Sequence, residues 1–482
     1  MKRKHAVGLR PLVPYPAAMA MLACVFAIAS PGPARAGGDG DGEFLPHGPG
    51  EKVRPQRPDQ QLRAILGEID RHRLEDSIQM LTSFGTRHTL SSQTDPDRGI
   101  GAATNWVYQT LQGYAAASGG RMTVELQSFV QPTTPPRIPQ ATTITNVIAT
   151  LRGSTNPERV YVVSGHIDSR ATDVLDIDSE QPAADDDASG VAVVLEVARV
   201  LSKRQPEATI VFTVVAGEEQ GLFGSGFQAA TYKAAGTDIQ GMFSNDIVGS
   251  STADDGLRDR HTIRMFAEGI PTAETPAQAA IRRAVGGEAD GVSRQLARFV
   301  KSVAENDETD MRIRFIYRRD RYLRASDHVS YLNQGYPAAR FTEPHENFAH
   351  EHQNIRVEDG VQFGDLIEFL DFSFMARVAK VNAATFWSLA IGPGTPKNAR
   401  ILTQALTNST DLVWDHGTEP DLAGYEVVWR ETTDPDWTHV VSVGNVTSAS
   451  FPHFSKDNVF FGIRAVDQAG HRSPVVFPDP QL

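Results

Sequence analysis

The fold and the candidate site both centre on residues 162–190, VVSGHIDSRATDVLDIDSEQPAADDDASG. The apolar run 160–163 ends at a Ser-Gly pair, and a short apolar run that stops at turn residues predicts a buried strand of a parallel sheet. His166 and Asp168 follow this strand directly. Because open α/β sheets bind ligands beyond the carboxyl ends of their strands, we expect these two side chains at a functional site.

The same stretch closes on three consecutive aspartates, Asp185, Asp186 and Asp187. Adjacent carboxylates repel one another, and a bound cation holds them together most easily. A solvated acidic loop is the simpler interpretation of such a run by itself. The His-x-Asp pattern at the predicted strand end favours a metal.

Length and composition place the chain among ordinary globular proteins. Its 482 residues are too many for one hydrophobic core, so two or three domains are expected. Hydrophobic residues make up 40% and charged residues 22% of the chain, as in typical soluble domains. With a net charge of −13, the sequence lacks the basic footprint of a nucleic-acid-binding protein.

The N-terminus has the pattern of a targeting segment. Basic residues near the start precede an apolar run, 15–29, and a small-x-small motif ends at Ala36. This pattern predicts a signal peptide over residues 1–36 and a secreted or periplasmic protein, and the apolar run is too short for a membrane span. Cys24, the only cysteine, lies in this segment, so the mature chain is expected to have no disulfide.

The remaining chain divides into a leader, an α/β domain and a smaller C-terminal domain. Residues 37–60 are rich in Gly, Pro and charge and predict a flexible leader. Over residues 61–390, strand patterns alternate with helical ones, which predicts a mainly parallel mixed sheet between helices. Residues 391–398 predict a linker, and 399–482 show short strand patterns between turns, typical of an all-β sandwich.

Helical spacing of apolar residues covers three long segments of the α/β domain. They are residues 61–83, residues 277–303 with a Gly-Gly interruption, and residues 361–389. Each is expected to bury one face against the sheet.

Side chains suited to a metal follow several of the predicted strands. Beyond His166 and Asp186, they are Glu218, Glu219, Asp246 and either His350 or His352. Imidazole and carboxylate ligands together suit Zn²⁺. Each residue alone has an ordinary explanation, as a solvated acid or a surface histidine, but their shared position at strand ends favours one metal site.

The chain resembles the dizinc aminopeptidases, the metallopeptidase family that includes bacterial secreted leucyl aminopeptidases and glutamate carboxypeptidase. The resemblance covers roughly residues 62–389, and it implies a zinc exopeptidase fold and hydrolysis of N-terminal residues from peptides or proteins. The motifs that carry it are GHIDS at 165–169, ADDDASG at 184–190, GEEQG at 217–221, Asn245-Asp246, SDH at 326–328 and GYPA at 335–338.

The resemblance also implies how the metals are held. Asp186 bridges two Zn²⁺ ions, His166 and Asp246 complete one site, and Glu219 with a late histidine completes the other. Such paired ions, about 3.5–4 Å apart, acidify a shared water and polarise the scissile carbonyl.

Three further residues take supporting roles by the same resemblance. Glu218 is the general base that accepts the water's proton. Asp168 is expected to orient the metal-binding imidazole of His166. Asp187 matches the partner of a non-proline cis peptide bond that follows Asp186.

The last ligand departs from the family pattern, in which an aromatic-His-Thr-x-x-Asp sequence carries it. This chain offers His350 and His352 without that Thr or Asp. We predict His352, because it lies in the more family-like His-Gln register. Asp327 and His328 are expected to be structural or pocket-lining residues rather than ligands.

Other functions compete with the aminopeptidase. A glutaminyl cyclase shares the fold with one zinc, but a bridging Asp186 and the complete acidic pair weigh against it. A non-catalytic binding protein with a vestigial site is disfavoured by the intact Glu218. A carboxypeptidase of the same chemistry would need a cation for the substrate carboxylate, for which the sequence offers Arg312, Arg314, Arg318, Arg319, Arg321 and Arg324.

The C-terminal domain resembles a fibronectin type III domain. The resemblance rests on residues 412–414, 421–427 and 460–467, together with Trp437. Trp414 is predicted to fill the core between the sheets. The domain shows no catalytic set, so its expected role is spacing or surface attachment.

Overall fold

The computed structural model describes residues 48–481. The predicted signal peptide and residues 37–47 of the predicted leader lie outside the described residues. The elements given below belong to one unit, Pro49–Leu482. Within residues 48–481, every helix falls short of the length or the apolarity that a bilayer crossing requires.

The α/β domain is built from strands and helices in alternation. Its elements, with the short strand that precedes them, are β1 (Glu51–Lys52), α1 (Gln60–Gly67), α2 (Arg71–Ser83), α3 (Ile100–Ala117), β2 (Met122–Gln131), β3 (Thr142–Leu151), β4 (Asn156–His166), α4 (Ala188–Leu201), β5 (Ala208–Val215), α5 (Phe223–Ala235), β6 (Asp238–Asn245), β7 (Thr262–Ala267), α6 (Pro276–Ala284), α7 (Val292–Ala304), β8 (Arg312–Ile316), α8 (His328–Asn333), β9 (Ala338–Thr342), β10 (Arg356–Glu358), β11 (Val361–Phe363) and α9 (Phe372–Ile391).

An eight-stranded mixed sheet forms the centre of this domain, in the order β2-β3-β5-β4-β6-β9-β7-β8. Its middle strands β5, β4, β6 and β9 run parallel, and so do β7 and β8. The pairs β2–β3, β3–β5 and β7–β9 are antiparallel. The predicted fold class, a mainly parallel mixed sheet between helices, is therefore confirmed.

Strand β4 is buried on both faces, which explains its unbroken apolar run. Successive side chains of a strand point to opposite faces, so Tyr161 and Val163 pack in one core with residues of α1–α4, α7 and α9. Val160 and Val162 pack on the other face with residues of α5 and α8. The turn residues after the strand thus mark the edge of a sheet covered by helices.

Helix α4 begins where the acidic stretch ends. The side chain of Asp187 caps it by accepting the Gly190 amide hydrogen at 2.9 Å. A Cβ on Gly190 would lie 2.2 Å from the Asn245 carbonyl oxygen, so only glycine allows the helix to approach the sheet this closely. This packing fixes the residues before the helix at the carboxyl edge of β4.

Two predicted helices differ from the structure. Residues 61–83 split into α1 and α2, because Asp70 caps the second helix through the His72 amide hydrogen at 2.9 Å. The prediction of a helix over 361–389 is wrong for its first part, which forms β11 and a turn with Gly364 at φ +116°. Helix α9 starts at Phe372, where Asp371 provides the cap.

Helix α5 was not predicted. Its sequence, FGSGFQAATYKAA, contains two glycines in the first turn and a weak apolar pattern. Glycine lowers helix propensity by about 1 kcal/mol relative to alanine. Packing against α8 and β3 therefore stabilises a helix that local preference does not favour.

The C-terminal residues, together with β1, form two four-stranded sheets that enclose an apolar core, which includes Trp414. The sheet orders are β1-β15-β14-β17 and β16-β13-β12-β18. The fibronectin type III assignment stays a prediction. The strands are β12 (Arg400–Leu402), β13 (Thr410–Val413), β14 (Leu422–Glu431), β15 (His439–Gly444), β16 (Ser448–Phe451), β17 (Val459–Asp467) and β18 (Asp479–Gln481).

Strand pairing and buried ion pairs join these sheets to the rest of the chain. Strand β1, from the end of the predicted leader, pairs with β15. Asp290, just before α7, accepts hydrogen bonds from Arg298 at 2.9 and 3.0 Å and from Arg430 of β14 at 2.9 Å. All three side chains are buried, so the α/β domain and the C-terminal sheets share a charged, solvent-excluded interface.

Candidate metal centre

The parallel strands bring the predicted ligands to one edge of the sheet. His166 ends β4, Glu218 and Glu219 follow β5, and Asp246 follows β6. The carboxyl ends of parallel neighbours meet at a common edge. His352 reaches the same edge from the loop after β9.

Asp186 lies between two histidines. Its Oδ1 is 3.0 Å from His166 Nε2, and its Oδ2 is 2.8 Å from His352 Nε2. His352 Nε2 also lies 2.8 Å from Glu219 Oε1, and ligand atoms of His166, Asp186 and Asp246 lie within 4.8 Å of one another. The side chains thus form two adjacent donor groups that share one carboxylate.

Asp187 joins the end of β4 to the start of α4. The Asp186–Asp187 peptide bond is cis, as the sequence motif predicts. Asp187 Oδ2 accepts the His166 amide hydrogen at 2.8 Å, while Oδ1 caps the helix at Gly190. Asp187, the neighbour of Asp186, therefore fixes the backbone at the end of β4 and at the start of α4.

Asp168 positions the acidic pair. Its carboxylate accepts the amide hydrogens of Glu218 and Glu219 at 3.2 and 3.0 Å, and the Thr89 hydroxyl at 2.9 Å. His166 Nδ1 lies 3.1 Å from the Asp168 carbonyl oxygen and 3.7 Å from its carboxylate. Asp168 thus contacts the imidazole mainly through its main chain, whereas its carboxylate holds Glu218 and Glu219.

Arg87, which was not predicted from the sequence, binds the backbone just before the acidic run. This fully buried guanidinium donates to the carbonyl oxygens of Ile167, Pro182 and Ala183 at 2.8, 2.6 and 3.1 Å. A buried arginine has the same local sequence signal as an exposed one, so the sequence alone did not identify it.

Asp365 was also missed, and it holds the loop from the opposite side. Its two carboxylate oxygens accept the amide hydrogens of Asp185 and Asp186 at 2.7 and 2.8 Å. Asp365 lies 179 residues beyond Asp186 in the chain, in the segment that had been predicted as a helix. Local patterns therefore carried no signal for this contact.

Arginine residues surround the Asp246 side of the centre. Arg340 Nη2 donates to Asp246 Oδ1 at 2.8 Å, and Arg340 is fully buried. Arg321 and Arg324 both pair with Glu346, at 3.0 and 2.8 Å. These two candidates for a substrate carboxylate are therefore engaged within the protein.

The electrostatics of the cluster demand positive charge. Burial lowers the pKa of His352, but Glu219 and Asp186 outweigh it and raise this pKa to about 10. Burial likewise opposes protonation of His166, yet the surrounding carboxylates, Asp187 first, raise its pKa well above the usual value. The carboxylates around the two imidazoles therefore favour positive charge at the centre.

The donor set fits zinc. Within residues 48–481, His166 Nε2 is buried without a hydrogen-bond partner of good geometry, although the Asp186 carboxylate lies beside it. A buried imidazole nitrogen facing carboxylates is the arrangement that a borderline cation such as Zn²⁺ binds. His166, Asp186 and Asp246 would hold one ion, and Asp186, Glu219 and His352 a second.

The remaining predicted residues lie around the centre rather than in it. His350 stacks on Phe369, with ring centroids 3.5 Å apart. His328 Nε2 faces the Arg319 carbonyl oxygen at 2.8 Å in the protein interior. Asp327 is buried at the start of α8, which matches a structural or pocket-lining role.

Comparison with known proteins identifies the family. Residues 146–358 match the sequence model of peptidase family M28. A "Probable zinc metalloprotease" of Pyrenophora teres f. teres is 52% identical over 437 residues, which cover 90% of each chain. The chain belongs to peptidase family M28.

Two further similar proteins also align over most of this chain. A "Probable zinc metalloprotease" of Leptosphaeria maculans is 51% identical over 428 residues, 89% of this chain and 99% of that one. An aminopeptidase of Legionella pneumophila is a more distant structural neighbour, with 19% identity, a TM-score of 0.49, and coverage of 70% and 77%. From its family and its curated relatives, the protein is a zinc metallopeptidase, and the predicted metal ligands and Glu218 all lie within the M28 match.

Proposed function

We propose that the protein is an exported dizinc aminopeptidase that removes N-terminal residues from peptides. The observation that carries this proposal is the position of Asp186, whose two carboxylate oxygens each face a different histidine. A carboxylate placed between two complete donor groups serves a pair of ions. This shared residue supports a site for two metals rather than one.

In this proposal His166 and Asp246 bind one ion, Glu219 and His352 bind the other, and Asp186 serves both. When bound, paired zinc ions acidify a water molecule and polarise the scissile carbonyl. The protein contributes a rigid arrangement of ligands. Asp168, Asp187 and the other buried partners hold each ligand by its backbone or its side chain.

Glu218 is the proposed general base. It is partly exposed, while Asp168 holds its backbone at 3.2 Å. Desolvation of the carboxyl group raises the pKa of Glu218 well above its usual value. Glu218 accepts the proton of the attacking water and returns it to the leaving amine.

Two of the six arginines that could serve a carboxypeptidase are already paired within the protein. Arg321 and Arg324 are paired with Glu346, and Arg340 is paired with Asp246. None of these three is left to bind a substrate carboxylate. The acidic surroundings of the metal centre instead suit the positive charge of a substrate N-terminus.

Paired variants of the two adjacent glutamates test the proposal. Glu218→Gln should keep both metals and lose activity by about 10²- to 10⁴-fold, because base catalysis is removed. Glu219→Ala should lose one metal. The readouts are metal content by mass spectrometry and turnover of amino-acid p-nitroanilides and N-blocked peptides.

Two results would contradict the proposed chemistry. Full activity after exhaustive chelation would exclude metal-dependent catalysis, and cleavage from C-termini alone would exclude an aminopeptidase. Export through residues 1–36 is a separate part of the proposal, and N-terminal sequencing of the protein recovered outside the cytoplasm checks it.

A further inference from the structure

Arg170 places a guanidinium group beside the candidate metal centre. It comes two residues after Asp168, and its Nη1 lies 3.7 Å from Oε2 of Glu219. This distance is too long for a hydrogen bond. Within residues 48–481, the Nε of Arg170 is buried without a hydrogen-bond partner. The guanidinium group therefore has at least one donor left for a ligand.

Other arginines of the centre already have acceptors within the protein. Arg340 Nη2 donates to Asp246 Oδ1 at 2.8 Å, and Nη1 of Arg137 donates to the carbonyl oxygen of Glu219. Arg170 has a single ion pair in the described part of the chain, the long one with the Glu219 carboxylate. Its guanidinium group is therefore bound less closely than either of theirs.

The ion pair with Glu219 weakens further in the proposed enzyme. Glu219 is a predicted zinc ligand, and a cation bound to a carboxylate dominates the local charge. The side chain of Arg170 is mostly buried, and an enclosed guanidinium group without an anion is costly. Arg170 therefore calls for a further anionic partner, which a bound substrate can supply.

Arg170 and His352 mark the side of the centre that is open to solvent. Their side chains are 19% and 21% exposed. Three further ligands are more enclosed, since the side chains of His166, Asp186 and Glu219 are 1%, 6% and 4% exposed. A substrate therefore reaches the centre from the side on which Arg170 lies.

Hydrolysis of a peptide bond creates an anion at such a place. The oxygen of the attacking water bonds to the carbonyl carbon, one proton of the water passes to Glu218, and the π electrons of the carbonyl move to its oxygen. This oxyanion persists until the C–N bond breaks, the carbonyl re-forms, and Glu218 returns the proton to the amine. The carboxylates of Asp186, Glu219 and Asp246 oppose an additional negative charge. A cation with free donors stabilises it.

We propose that Arg170 is a further catalytic residue, which donates hydrogen bonds to this oxyanion. The inference rests on the proposed aminopeptidase function and adds a residue to its mechanism. The reacting carbonyl must lie beside the metal ligands, and Arg170 lies 3.7 Å from one of them, Glu219. Because the negative charge forms only as water adds, the contact favours the transition state over the bound substrate.

Steady-state kinetics on the best amino-acid p-nitroanilide separate binding from the chemical step. Arg170→Gln should lower kcat by about 10²- to 10³-fold, as the loss of one oxyanion donor does, and leave KM nearly unchanged. Arg170→Lys keeps the charge without the planar fork and should give an intermediate kcat. It also serves as the test if Arg170→Gln does not fold. Arg152→Gln removes the same charge from an exposed position and should match the wild type.

Calorimetry on the zinc-loaded proteins tests the contact without turnover. The aminophosphonic acid with the same side chain presents a tetrahedral anion, and the corresponding amino alcohol presents a neutral hydroxyl group. Arg170→Gln should weaken binding of the aminophosphonic acid by roughly 10- to 100-fold, the loss expected for hydrogen bonds to a charged group. Its affinity for the amino alcohol and its zinc content should stay those of the wild type.

Three results overturn the inference. Wild-type kcat and aminophosphonate affinity in Arg170→Gln would show that the oxyanion is bound elsewhere, and loss of a zinc ion would make Arg170 a support for Glu219 instead. A defect on dipeptides, with none on p-nitroanilides, would show that Arg170 binds the carboxylate of a short substrate. Failure of the proposed function has a different signature, because the wild type itself would then cleave neither p-nitroanilides nor peptides with free N-termini.

Discussion

Replacing Asp365 by asparagine tests whether the loop that carries the shared ligand must be held from outside. Each oxygen of Asp365 accepts one amide hydrogen, from Asp185 at 2.7 Å and from Asp186 at 2.8 Å. Asparagine keeps one acceptor and turns an NH₂ group toward the other amide. One buried N–H is then left facing a donor.

The expected cost follows from these two bonds. A hydrogen bond to a charged group contributes about 1.5–3 kcal/mol, and a buried amide without a partner costs about 1–3 kcal/mol. Because Asp186 is expected to bind both zinc ions, displacement of its loop should lower the affinity of the protein for both ions. Loss of an outer partner of a metal ligand typically costs about 10- to 100-fold in metal affinity, and we expect zinc binding by Asp365→Asn to fall by this amount.

Competition against a chromophoric chelator measures the zinc dissociation constants, and thermal unfolding of the metal-free protein measures stability separately. Asp359→Asn, an exposed substitution in the same segment, is the matched control and should bind zinc as the wild type does. The reasoning is refuted if Asp365→Asn unfolds at a lower temperature but keeps wild-type zinc affinity. Asp365 would then support the fold without positioning the ligand.

Two further predictions concern the late histidine and the domain interface. His352→Ala should lose one zinc ion, whereas His350→Ala should keep both, and metal counting would contradict the assignment if the two results were reversed. Asp290→Asn leaves the buried Arg298 and Arg430 without an anion and should cost about 3–5 kcal/mol at pH 7. Burial raises the pKa of Asp290, but the two arginines outweigh it and lower this pKa overall. The stabilisation is therefore present above the unfolded-state pKa of about 3.9 and is lost as the pH falls through the folded value. Denaturant unfolding of both proteins should accordingly show a difference that shrinks below about pH 4, and a constant difference would contradict this origin.

The C-terminal sheets are more than an appended spacer in this structure. Asp290 forms a buried network with arginines from both sides of the interface, and Trp437 Nε1 donates to Gln295 of α7 at 3.1 Å. Buried charges of this kind need their partners to stay in place. Loss of the C-terminal sheets would therefore expose charged groups of the α/β domain that are now buried.

The sequence by itself determined the fold class and most of the centre. The apolar run of β4 reflects burial on two faces, and its end at turn residues marks the edge of the sheet where His166 lies. Glu218 and Asp246 follow from the same local logic, since each lies next to a strand end, whereas Asp186 was recognised in the acidic run just before helix α4. The family resemblance then assigned a role to each of these residues, as a metal ligand, the general base or a supporting residue, and these roles can be compared with the distances in the structure.

Only the tertiary structure decided which distant groups meet. Asp365 contacts Asp186 across 179 residues, and Arg87 reaches Ala183 across 96, without any periodicity that links them. The positions of His350 on Phe369 and of His352 beside Asp186 depend on the path of one loop, which adjacent residue types do not specify. Local sequence patterns show which face of each segment is buried and which is exposed to water. The partners of buried charged groups, in contrast, depend on how distant segments pack together.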